Sequence, residues 1–126
     1  VLYQELTSQI IKCAYEVHKT LGHGFYESIY HNALIKELEK RRIPHISEAK
    51  LDVYYKGESV GFYFADIFVD EKVIVEIKAV SKLSQDHKQQ VLNYLKASKT
   101  DVGLIFNFGE SDLSFKRFIN TMDEKR

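Results

Sequence analysis

Glu76 and Lys78 interrupt Val73-Ile74-Val75-Glu76-Ile77-Lys78-Ala79-Val80, a run that is otherwise apolar and rich in β-branched side chains. Such a run reads as a strand buried on both faces, where a charge is costly unless a partner or a metal offsets its desolvation. Side chains alternate along a strand, so Glu76 and Lys78 share one face about 7 Å apart. Asp66 lies in the preceding run, apolar through Phe62, Phe64, Ile67, Phe68 and Val69, and the turn Asp70-Glu71-Lys72 brings it opposite or diagonal to Glu76. Two chemistries account for these charges. One is a buried ion pair of Lys78 with either acid. The other starts from the count: two carboxylates against one ammonium leave a surplus negative charge, which a divalent cation neutralises. Carboxylate oxygens completed by water suit Mg²⁺ or Mn²⁺. Such an ion polarises a phosphoryl oxygen and acidifies water, and Lys78 beside it is suited to orient or deprotonate the attacking water. That is the chemistry of phosphodiester hydrolysis.

The elements that must position these groups follow from periodicity. Ile10, Cys13, Ala14, Val17 and Leu21 keep helical spacing from Thr7 to Leu21, with Gly22 as a stop. Tyr30, Ala33, Leu34 and Leu38 stripe a second helix from Tyr26 to Arg41, closed before Pro44. From Ile46 the period changes to two. Leu51, Val53 and Tyr55 alternate with polar neighbours, Lys56-Gly57-Glu58 turns the chain, and Val60 to Val69 returns it as a hairpin. Val73 to Val80 is a third strand, Ser84 to Ala97 a helix and Val102 to Phe108 a fourth strand. A strand, helix and strand in that order predict a right-handed crossover between parallel strands. Asp112 to Arg126 fits a strand, a helix or both. The expected fold is α/β (α+β), a central mixed β-sheet flanked by helices in the order α-α-β-β-β-α-β plus a C-terminal element, with residues 1–126 forming one domain.

Other residues stand where these elements carry chemistry. Glu27 opens the second helix, where an acid also complements the helix dipole. Tyr30 shares its face and either packs or hydrogen-bonds to it. On the third helix His87, Gln90 and Tyr94 fall on one face. Cys13 reads as a small core side chain. His18, His23, His31 and His45 show no metal-ligand spacing.

Asp66 followed by Glu76-Ile77-Lys78 in this order of elements resembles the PD-(D/E)XK nuclease superfamily. Gly24-Phe25-Tyr26-Glu27-Ser28-Ile29-Tyr30 is similar to the signature of the GxxExxY protein family within it, as are Tyr55-Lys56-Gly57, Asn93-Tyr94-Leu95-Lys96 and Gly103-Leu104-Ile105-Phe106-Asn107-Phe108-Gly109. The resemblance implies a restriction-endonuclease-like core and a magnesium- or manganese-dependent nuclease acting on DNA or RNA. It implies Asp66, Glu76 and Glu27 as metal ligands, Lys78 as the group that activates water, and Gln90 as a further catalytic residue. Gln90-x3-Tyr94 resembles the QxxxY motif of RecB-like nucleases, in which these side chains hold water or a phosphate; Tyr94, His87 and Tyr30 are supporting residues. Ala65 stands where the superfamily carries proline, and His23 where the GxxExxY family commonly does.

Lys+Arg and Asp+Glu balance at 18 each, so any polyanion must be held by local charge. Basic residues gather at Lys36, Lys40, Arg41 and Arg42, and again at Lys82, Lys88, Lys96 and Lys99. A single cysteine and the lack of a long apolar run or a signal-like N-terminus lead us to expect a cytoplasmic protein with no membrane partner. Nucleic acid, chiefly DNA, is the expected partner, and a homodimer presenting two sites is compatible with so small a domain. The rival reading is a nucleic-acid-binding or regulatory module that keeps the fold without turnover. A small-molecule phosphodiesterase or an interaction domain is a third.

Overall fold

In a computed structural model describing residues 2–120, three helices flank a five-stranded sheet. The elements are α1 (Gln4–Leu21), α2 (Glu27–Lys40), β1 (His45–Tyr55), β2 (Glu58–Val69), β3 (Val73–Lys78), α3 (Gln85–Ser98), β4 (Val102–Asn107) and β5 (Ser114–Ile119). The sheet order is β1-β2-β3-β4-β5, mixed because β3 and β4 are parallel while the other neighbours are antiparallel. This is the expected α+β architecture. The open C-terminal segment is an edge strand, β5, up to Ile119; residues 121–126 of that segment lie outside the described residues.

The sheet separates two apolar layers. On one side, Ile10, Cys13, Ala14 and Val17 of α1 and Tyr30, Leu34 and Leu38 of α2 pack on Val73, Val75, Ile77, Leu104 and Phe106. On the other, Val91, Tyr94 and Leu95 of α3 cover Ile74, Ile105, Leu51 and Ala65. Strands β3 and β4 are apolar on both faces because both faces are covered, as expected of a central parallel pair. Cys13 is a fully buried core residue.

Two boundaries differ from the periodic pattern. Helix α1 begins at Gln4, a turn before Thr7, because the Thr7 hydroxyl bonds back to Tyr3 O and Gln4 O and Arg117 of β5 binds both Thr7 Oγ1 and Leu2 O. Strand β3 stops at Lys78, not Val80. There the side chain of Asn107, fully buried at the end of β4, takes over from the ladder: its Oδ1 accepts the N–H groups of Val80 and Gly109, and its Nδ2 donates to Val80 O and Glu110 Oε2. Phe108 N–H adds a bond to Lys78 O at 2.8 Å. This clamp fixes the chain leaving Lys78.

Gly109 lets the clamp close, since a Cβ there would stand 2.3 Å from Val80 O and 2.5 Å from Val80 N. Backbone cannot yield as a flexible side-chain tip does. Gly109→Ala is therefore expected to cost at least about 1–3 kcal/mol, read as a lower urea midpoint with unchanged slope; a midpoint equal to that of the parent would refute the close-packing account.

Candidate active site

Strands β2 and β3 pair only through Ile67–Val75, Phe68–Ile74 and Val69–Val73, and then part. At the same point β2 changes face: Ile67 belongs to the layer under α1 and α2, whereas Ala65 belongs to the layer under α3. Asp66 sits at this switch. Its antiparallel neighbourhood is irregular too, since Glu48, between the Ser47–Ile67 and Ala49–Ala65 pairs, has a positive φ of 53°. Strands that part leave backbone donors without ladder partners, and buried donors must be satisfied. Here the two acids do so reciprocally: Asp66 N–H donates to Glu76 Oε1 at 2.8 Å, and Ile77 N–H donates to Asp66 Oδ2 at 2.7 Å. Both carboxylates are thereby fixed in rotation and faced toward each other.

The electrostatics follow from this geometry. Glu76 is nearly fully buried, and burial, with Asp66 second, pushes its carboxyl up to about 8 despite the opposing Asp66 N–H and Lys78. Asp66 is also raised, first by burial, against the Ile77 N–H, His31, Lys78 and a hydrogen bond from Glu76. Burial and the neighbouring carboxylate thus favour the protonated form of Glu76 near neutral pH. Lys78 is half-buried and close enough to lower both acids, yet among the described residues it makes no ion pair within 4.0 Å. The buried ion pair considered above is therefore not formed.

Glu27 stands at the first position of α2, and among the described residues no three His, Cys, Asp or Glu side chains are grouped to hold a metal. Glu27 instead flanks the Asp66–Glu76 pair. Its carboxyl is raised, first by burial and also by Asp66, and is countered by Lys78, by His87 and by the Ala79 N–H. With Ser28, His31, Glu48, Asp66 and Ile77 it lines a cleft of about 260 Å³. The loop before it is held by Tyr30, whose hydroxyl donates to Gly22 O and accepts Phe25 N–H while its ring stacks on Phe108 at 4.7 Å. Tyr30 thus packs and anchors a loop; its recorded hydrogen bonds go to that loop and not to Glu27.

The third helix closes the other side. His87 completes a capping box: its Nδ1 accepts Ser84 N–H, and Ser84 Oγ accepts His87 N–H. A neutral His87 ring therefore carries its proton on Nε2. One turn on, Gln90 has a buried Oε1 with no hydrogen-bond partner. Further along the same face the Tyr94 hydroxyl is pushed up to about 12 by burial, then by Glu76 and Asp66. Gln90 lies between His87, which acts on Glu27, and Tyr94, which senses Glu76 and Asp66.

Three residues of this region carried no role in the sequence reading. His31 is one helical turn from Glu27, a spacing that puts both on one face; its Nε2 lies 2.9 Å from Ser47 Oγ and it faces Asp66. Asn107 is a polar residue inside an apolar strand, the same anomaly that singled out Glu76. Glu48 joins the cleft only through the register of β1 on β2, which no local pattern reveals.

Whether these residues fit a divalent cation is tested by their donor set. Two hard oxygen donors lie together, countered by Lys78 and, at Asp66, by His31, and a buried oxygen without a hydrogen-bond partner, Gln90 Oε1, lies on the helix face of Tyr94. That set fits a hard cation.

Residues 4–118 match the sequence profile of the PD-(D/E)XK nuclease superfamily, and the chain belongs to that superfamily, whose members typically use divalent metals. Among solved structures, the crystal structure of SSO0001 aligns with a TM-score of 0.58 and 18% identity over 78% of this chain and 52% of that one. This chain thus spans about half the length of that protein, and the likeness bears on fold alone. No curated protein sequence matches. No helix among the described residues is long and apolar enough to cross a membrane.

Glu76 also makes metal-free stability depend on pH. A carboxyl raised in the folded state binds its proton more tightly there than in the unfolded chain, so its contribution is full below about pH 4.5 and is lost as pH rises to about 8. In EDTA, Glu76→Gln should flatten this slope and melt roughly 5 °C higher than the parent at pH 8.5. Added Mn²⁺ should stabilise the parent and not the variant. Parallel pH–melting curves for the two proteins would contradict the assignment.

Proposed function

We propose that this protein is a metal-dependent phosphodiesterase of nucleic acid, with Asp66 and Glu76 as the ligands of one Mg²⁺ or Mn²⁺. The observation that carries the reading is the fork between β2 and β3, where the two carboxylates are bound to each other's strand, Lys78 is near enough to lower both, and Asp66 lines an open cleft. A bound divalent cation would supply Lewis acidity toward a phosphoryl oxygen. The chain's own groups do the rest. Lys78, held by the Asn107 clamp through the backbone that follows it, orients the attacking water and carries charge to the phosphate. Glu27, raised by burial and flanked by Lys78 and His87, is suited to accept a proton from that water or to complete the ligand sphere from the α2 side. Gln90 Oε1, lacking a partner, accepts from a water or from a cation's hydration shell.

The motif from Gly24 to Tyr30 supports assignment to the GxxExxY proteins within the superfamily: its glycine has φ 113°, closed to most residues, and its tyrosine anchors the loop that presents its glutamate. We read residues 1–126 as one catalytic unit and DNA as the preferred substrate. The rival module without turnover would have no use for an unpaired, half-buried lysine facing two acids.

Purified protein incubated with single- and double-stranded DNA and RNA is expected to cleave with Mg²⁺ or Mn²⁺ and to be silent in EDTA. Glu76→Ala and Lys78→Ala should each lower the rate by at least about 100-fold, and Gln90→Ala by roughly tenfold. Cleavage that survives EDTA or Glu76→Ala would overturn the proposal.

A further inference from the structure

The β1–β2 hairpin is longer than the sheet needs. Only Ile67, Phe68 and Val69 of β2 pair with β3, so the remainder runs on as a two-stranded arm. Two-stranded ribbons are marginal in water, and this one is supported on one face by α3: Leu51 and Ala65 enter the layer under that helix, and the Tyr63 ring lies 5.2 Å from Tyr94. Beyond that support the arm and the helix diverge, leaving a groove of about 600 Å³ between the hairpin tip and the C-terminal half of α3.

The groove is lined with one sign of charge. Lys56 reaches it from the hairpin turn, Lys96 and Lys99 from the helix end, and none of its lining residues is acidic. Four lysines outside the groove sit beside acids, in Lys36–Glu39, Lys40–Glu37, Lys50–Asp52 and Lys72–Asp70. Among the described residues the three groove lysines make no ion pair within 4.0 Å. A helix C-terminus favours cations, which accounts for Lys96 and Lys99 but not for Lys56, carried on another element. Lys56 also rests over the Tyr55 ring at 5.4 Å, and three ammonium groups converging on one concavity that holds no acid suit an anion. Tyr54, 63% exposed, and Tyr63 add aromatic faces to the same walls. A free phosphate has no use for these rings. A duplex, with its bases stacked and paired inside, offers them none to stack on. A lysine-lined groove with aromatic platforms is the form that binds an unpaired strand, phosphates on the cations and bases on the rings.

The groove also leads to the acids. Tyr63 lines it and touches Tyr94, which shares its helix face with Gln90. Tyr63 precedes Asp66 on the same strand by about 10 Å. We propose that this groove binds single-stranded nucleic acid and feeds the strand toward the Asp66–Glu76 fork. Its place as a substrate track rests on the phosphodiesterase reading; its affinity for single strands does not.

Binding is therefore measured without turnover. Fluorescein-labelled 12-mers of single-stranded DNA, single-stranded RNA and the corresponding blunt DNA duplex are titrated in EDTA by fluorescence anisotropy at several salt concentrations. The expected result is tighter binding of a single strand than of the duplex, and the preferred single strand identifies DNA or RNA. Lys56→Ala/Lys96→Ala/Lys99→Ala should weaken it at least about tenfold and reduce the salt slope by about 2. Tyr54→Ala should weaken it about fivefold or more with the slope unchanged. Lys36→Ala/Lys40→Ala, on α2, should match the parent. All four groove positions are exposed, and unchanged melting temperatures verify that the fold is kept. Equal affinity for duplex and single strand, or a triple variant that binds like the parent, overturns the groove. Absence of cleavage with binding intact overturns only the phosphodiesterase reading.

Discussion

Everything proposed for this protein depends on β2 and β3 ceasing to pair after Ile67 and Val75. A ladder continued past that pair would fill this edge with backbone bonds and leave both carboxylates free to rotate. Because the strands part, each orphaned donor takes a carboxylate from the opposite strand. Backbone satisfaction, which a buried fork requires on any account, thus also fixes the direction of the acids. The arrangement is costly for charge: burial and proximity together keep a proton on the pair. In the proposed reading that cost is what suits the fork to a cation, since an ion that displaces the proton would relieve the repulsion and the desolvation at once.

The surrounding residues then read as a frame for the fork. Asn107 spends its whole amide on the backbone of residues 80 and 109 and on Glu110, whose carboxylate also accepts the Ser114 hydroxyl. The main chain carrying Lys78 is thereby bound to β4. Tyr30 does the same for the loop that leads to Glu27, and its stacking on Phe108 joins the two supports, since Phe108 N–H binds Lys78 O. Glu27 and Lys78, far apart in sequence, rest on one contiguous set of buried rings and amides.

Much of this was legible in the chain, and what escaped has a common cause. Asp66, Glu76 and Lys78 stood out because charges in buried strands violate a local rule, and the helices declared themselves by period. The β3 boundary was missed because Ala79 and Val80 are good strand residues; Asn107, distant in sequence, ends the strand. Helix α1 began early because Arg117 of β5 reaches the chain before it. The ion-pair alternative stayed open in the sequence because burial and charge type say nothing of whether Lys78 and the acids come within 4 Å. His31 was set aside for lacking metal spacing, although its turn from Glu27 already put the two on one face. The two boundary misses depended on partners far along the chain, which periodicity does not encode.

Zero net charge does not count against a polyanionic substrate, because what acts on the substrate is the local field. Lys36 and Lys40 on α2, Lys50 in β1 and Lys72 in the turn before β3 sit near acids two or three residues away; such exposed pairs contribute little stability but cancel one another at a distance. Among the described lysines without an acid within 4.0 Å, Lys56, Lys96 and Lys99 converge on the groove between the hairpin and α3. A neutral protein arranged in this way has little long-range attraction for nucleic acid. It holds a strand only where phosphates meet several cations together and unpaired bases meet rings, so the same charge pattern that lowers indiscriminate binding to duplex favours strands that already expose their bases.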